Sequence, residues 1–153
     1  LYGAEPATEP APPDLMGMLD AADACILIGD AGMTADASQL HVLDLGEAWT
    51  CLTGLPFVWA AWIGRTDLDP RLAFHLAMAA RDILLGDEAA IREFVRLGAE
   101  RTGLAPEVVH RYYTQTMRYR LDDRMLDGLR EFQRRLLARG VPAHHFPSIV
   151  QPG

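Results

Sequence analysis

Two short apolar runs constrain this chain more than any other feature: Ala24 to Ile28 (ACILI), stopping at Gly29, and Leu55 to Ile63 (LPFVWAAWI), ending at Gly64 and Arg65. Both have strand length, and the aromatic and branched content of Phe57 to Ile63 favours extended backbone. Runs of this kind are expected of strands buried on both faces of an α/β sheet, and such strands need hydrogen-bonding neighbours. Only His41 to Leu43 and Arg118 to Leu121 (RYRL) offer further short strands. The expected fold class is therefore α/β, with sheet neighbours supplied from outside these 153 residues. Because the first residue is Leu1 and not Met, an upstream portion of the same polypeptide is the expected source, ahead of a separate chain.

The remaining pattern is helical. Glu5 to Pro13 (EPATEPAPP) reads as a surface connector, after which Asp14 is placed to cap a helix carrying Leu15, Met18 and Leu19 on one face. Asp44, with Glu47 three residues on, forms a capping-box-like start for a helix that Gly54 stops. After Arg65 four helices are expected. The first starts at Pro70, with Leu72, Leu76, Ala79, Ala80 and Ile83 inward, and the second at Asp87, with Ile91, Phe94, Val95 and Gly98 inward. The third starts at Pro106 and carries Val108, Val109, Tyr112 and Tyr113. The fourth starts at Asp122, buries Met125, Leu129, Phe132 and Leu136, and ends before Gly140. The tail from Pro142 carries no interpretable pattern.

Charge excludes several functions. Residues 1–64 hold nine acids and no arginine, a charge of −9, whereas residues 65–153 hold twelve acids and all fourteen arginines, a charge of +2. A segment without cations lacks the phosphate-neutralising footprint of a nucleic-acid binder, and the later arginines alternate with acids along helices. The chain contains no lysine, which removes Schiff-base and P-loop chemistry. Adjacent His144 and His145, isolated His41, His75 and His110, and the absence of HExxH or CxxC spacing argue against a metal site. Ser38 and Ser148 are the only serines, and neither sits in a G-x-S-x-G elbow. No apolar stretch reaches membrane-spanning length and no leader pattern is visible; with Cys25 and Cys51 unpaired by spacing, a soluble, reduced, cytoplasmic protein is expected.

Two segments can contact a ligand. Gly29-Asp30-Ala31 follows a strand-like run, where open α/β sheets bind ligands and backbone amides can hold a carboxylate without a cation. The same residues also read as a plain tight turn, with Gly32 at positive φ and Asp30 bonded locally. Thr53-Gly54-Leu55-Pro56-Phe57 turns a helix end into an apolar run, placing a hydroxyl and amides beside aromatic walls suited to a small ring-bearing carboxylate. Taken alone, those five residues read more readily as a glycine cap followed by proline. Trp49, Trp59 and Trp62 read as core, and Arg134, Arg135 and Arg139 as a solvated helix face.

DLGEAWTCLTGLPFVWAAWIGR, Asp44 to Arg65, resembles the segment that chorismate dehydratases of menaquinone biosynthesis carry near mid-chain. ADACILIGDAG resembles that family's strand and Gly-Asp-Ala turn, and RYRLDDRMLDGLREF its final strand and helix, so the likeness spans most of residues 14–139. The resemblance implies a two-lobed fold like type 2 periplasmic binding proteins, of which this chain is the helix-rich C-terminal portion. It implies elimination of water from chorismate to give 3-[(1-carboxyvinyl)oxy]benzoate, with no metal or organic cofactor. Residues 1–54 would finish the second lobe, 55–64 would cross between lobes, and 65–153 would return to the first.

The family's early Ser-Tyr-Leu-Asn-type motif has no counterpart in a chain without asparagine, so the catalytic groups are expected in the upstream half. Binding is expected from Gly29, Asp30, Ala31, Thr53, Gly54, Leu55, Pro56 and Phe57, with substrate carboxylates held by amides and hydroxyls. Three other readings remain: a non-catalytic solute-binding protein of the same fold, the related dihydroxynaphthoate-forming enzyme, and the sensing domain of a transcription regulator.

Overall fold

Helices begin where a side chain can accept the amides that a first turn leaves without partners. The computed structural model describes residues 6–61, 63–65 and 67–142. They form α1 (Leu15–Ala21), α2 (Gly29–Thr34), α3 (Leu45–Thr53), α4 (Pro70–Gly86), α5 (Glu88–Thr102), α6 (Pro106–Arg111), a π-helical turn at Tyr112–Thr116, and α7 (Asp123–Ala138). Asp44 accepts from the Glu47 amide at 2.9 Å, Asp87 from Ala89 at 2.8 Å and Asp122 from Met125 at 2.8 Å, opening α3, α5 and α7 as the sequence predicts. Asp69 caps α4 through the Arg71 amide. Asp14 precedes α1 but its carboxylate makes no capping bond, contrary to expectation. Gly54, at φ 70, ends α3 in the left-handed conformation that a residue with a Cβ resists.

The expected strands do not form. Among the described residues there is no β-ladder, and residues 24–28, 41–43, 56–61 and 118–121 are irregular or extended backbone. A strand exists only against a neighbour, and the described residues provide none. Residues 24–28 nevertheless keep strand periodicity, with Cys25 and Leu27 half-buried while Ile26 is 68% and Ile28 73% exposed. One face is thus partly covered and the other bare, where burial on both was expected. The observed architecture is helix-rich.

The turn after this run also differs from expectation. Gly29, not Gly32, takes positive φ (61°) and begins α2. A Cβ at Gly32 would lie 3.1 Å from the Leu27 carbonyl oxygen, a tight approach that the backbone would have to ease by a few tenths of an ångström. Asp30 makes no local side-chain bond of the expected kind; its carboxylate pairs with Arg101 of α5 at 2.6 Å.

Two apolar clusters hold the helices. Gly98 of α5 lets Val109 of α6 and Tyr113 of the π turn approach, and Val109 is buried. The second cluster is aromatic: Trp49 of α3 meets Phe57 at 5.6 Å and Phe132 of α7 at 5.7 Å, and Phe57 meets Phe132 at 5.2 Å, all edge-to-face. Leu126 of α7, 1% exposed, is the most buried large side chain among the described residues. Leu72 of α4 and Phe94 of α5, expected inside, are substantially exposed. Ile26, Ile28, Val42 and Ile63 are each more than two-thirds exposed. Much apolar surface therefore lies outside either cluster.

Candidate functional site

The Thr53–Phe57 segment is shaped by α3 behind it and α7 beneath it. Leaving α3, the Thr53 hydroxyl donates to the Trp49 carbonyl at 2.8 Å and accepts from the Leu55 amide at 3.1 Å, which turns the chain sharply. Arg124 Nη2 donates to the Gly54 carbonyl oxygen at 2.8 Å, a bond spanning 70 residues of sequence. A Cβ on Gly128 would overlap the Pro56 carbonyl oxygen, so the missing side chain is what lets the backbone lie directly on α7. Phe57 then enters the aromatic cluster. Leu55, Pro56 and Phe57 remain half-buried and Gly54 is exposed, so this turn is both accessible and firmly held.

Gly29, Asp30 and Ala31 are held elsewhere, by the Asp30–Arg101 pair to α5. The eight predicted residues thus form two groups fixed to different helices, and no hydrogen bond joins the groups among the described residues. Sequence reasoning missed Arg101 and Arg124, which the fold carries to these segments from the arginine-bearing half. Their spacing of about 70 residues from the segments they touch leaves no local pattern to find.

Trp49 is core, as expected, but its buried indole N–H has no acceptor among the described residues, and Trp59, also expected in the core, is 61% exposed because no described element fully covers the extended run it sits on. The Arg135 guanidinium stacks 5.7 Å from the Trp49 ring centre, so this arginine is only partly the solvated residue expected. Both flank an open groove of about 430 Å³ lined also by Leu52, Phe132, Leu136 and Arg139. None of the eight predicted residues lines it. Glu131 receives Arg134 and Arg135 at 2.7 Å each, and these bonds, Arg134 first, hold its carboxyl down at about 2. Trp62, His144, His145 and Ser148 lie outside the described residues. No described helix is long and apolar enough to cross a membrane.

The described residues thus form a helix-rich unit with two accessible segments, each touched by an arginine from the second half of the chain. Residues 1–138 match the family model described as menaquinone biosynthesis, and the chain belongs to that family. It is 30% identical over 142 residues to a chorismate dehydratase of Thermus thermophilus, an alignment covering 82% of this chain. The chain spans about half the length of that relative, 50% of which is covered. No solved structure matches it.

Proposed function

We propose that this chain is the substrate-binding C-terminal portion of a carbon–oxygen lyase that dehydrates chorismate to 3-[(1-carboxyvinyl)oxy]benzoate. The observation that carries the reading is the Asp44–Arg65 segment, which lies within the family match and whose residues 53–57 fold into an accessible turn beside Phe57. Half of the related dehydratase has no counterpart here. That other half, as part of a two-lobed fold, would supply the sheet neighbours for residues 24–28 and 55–64 and the catalytic groups. Residues 1–54 then finish one lobe, 55–64 cross between lobes, and 65–153 return to the first.

In the reaction a ring C–H bond and the neighbouring C–OH bond break, water leaves, and the ring becomes aromatic. This chain's part is to bind and orient: Leu55, Pro56 and Phe57 form an apolar wall for the ring, the amides of residues 29–31 and of Phe57 supply N–H donors, and Thr53, whose hydroxyl bonds Trp49 and Leu55, shapes the turn that presents them. Closing the lobes excludes bulk water and fixes the departing hydroxyl. The test is to incubate the complete polypeptide with chorismate and follow the mixture by mass spectrometry. Loss of one water with appearance of the aromatic enol ether supports the reading. Binding without conversion would instead identify a solute-binding protein.

A further inference from the structure

A dicarboxylate substrate presents two negative charges, yet the first 64 residues provide no arginine to meet them. The fold brings two arginines to the candidate segments, and they differ in state. The charge of Arg101 is answered by Asp30 at 2.6 Å. Arg124 touches a neutral group, the Gly54 carbonyl oxygen, and has no carboxylate partner among the described residues. A guanidinium carries five N–H donors in a planar fork, and a single bond to a carbonyl occupies one of them.

We infer that Arg124 is the cation that binds a substrate carboxylate at the Thr53–Phe57 turn, an assignment that rests on the dehydratase reading for the identity of the substrate. The bond to Gly54 sets the guanidinium beside the turn before any ligand arrives, which reduces the ordering cost of binding. The remaining N–H groups suit a carboxylate taken edge-on, in the paired geometry that arginine favours. The setting is accessible to a ligand, since Arg124 and Gly54 are both exposed. Leu126 and Gly128, buried on the same helix, fix the backbone from which Arg124 projects.

A purely structural role is the competing explanation, because the same bond satisfies a carbonyl that the end of α3 leaves free. Arg124→Gln and Arg124→Lys in the complete polypeptide separate the two. Chorismate affinity is measured by calorimetry across a range of salt concentrations, alongside thermal melting. Loss of a charge-assisted bond predicts affinity weaker by about tenfold in Arg124→Gln, with a flatter salt dependence, and partial recovery of both in Arg124→Lys. Unchanged affinity in Arg124→Gln overturns the assignment, as does an equal loss in both variants that follows a fall in melting temperature. If Arg124→Gln weakens binding as expected but the unsubstituted protein converts no chorismate, the dehydratase reading fails and the binding role stands. If the unsubstituted protein binds no chorismate, both fall.

Discussion

Gly128 is the point at which α7 and the Thr53–Phe57 turn touch backbone to side-chainless backbone, and Gly128→Ala tests whether that contact organises the segment. An alanine Cβ would lie inside 3.0 Å of the Pro56 carbonyl oxygen, a separation real Cβ atoms do not show, and 3.7 Å from Leu55 Cβ. The obstacle is a carbonyl and not the end of a flexible side chain, so either α7 or residues 55–56 must move. Overpacking of this kind costs about 1–3 kcal/mol, against a gain of about 1 kcal/mol from replacing glycine inside a helix. Where the clash is relieved by moving the helix, the edge-to-face contacts of Phe132 with Trp49 and Phe57 are disturbed as well, which places the cost toward the upper end. The expected net loss is about 1–2 kcal/mol, a fall in melting temperature of a few degrees, followed by circular dichroism. Gly86→Ala is the matched control, since open space surrounds Gly86 at the end of α4 and only the propensity gain applies. Stability of Gly128→Ala equal to or above the parent chain would refute the contact.

Thr53→Val removes the hydroxyl bonded to Trp49 and Leu55, and is expected to weaken chorismate binding and to lose about 1 kcal/mol in urea unfolding, with Thr53→Ser retaining both. Unchanged affinity in Thr53→Val would remove this residue from the site. Leu126→Ala, at the most buried large side chain, should lose about 2–5 kcal/mol by the same unfolding assay. Acid should weaken the α7 pairing: the Glu131 carboxyl, normally near 4.5, is held at about 2, so its contribution is complete above pH 4.5 and drains as pH falls toward 2. The effect is modest at a solvated pair, and Glu131→Gln should flatten the melting temperature across that window.

How much could be read in advance depended on the range of the interaction concerned. Starts at Asp44, Asp87 and Asp122 were legible because a cap needs only residues two or three positions on. The stop at Gly54 was legible for the same reason. The runs at 24–28 and 57–63 were legible as strands in want of neighbours, and among the described residues, which provide none, they form no ladder. Leu126 escaped because the expected stripe through Met125, Leu129, Phe132 and Leu136 places it one position off the face. At the candidate site, the glycine stop of residues 53–54 could be anticipated, but the helical start at Gly29 could not, nor could Arg101 and Arg124. Their arrival follows from the way α5 and α7 are packed, which no short window of sequence records.

The bare side of residues 24–28 also has a consequence for handling the molecule. Backbone outside any ladder, with Ile26 and Ile28 in the open, is the template on which foreign strands add. The run carries no charge and no proline to discourage this, although Asp23 and Asp30 stand at its borders as gatekeepers. Preparations of this chain by itself should therefore self-associate as concentration rises, and charged replacements such as Ile26→Lys should keep it dispersed.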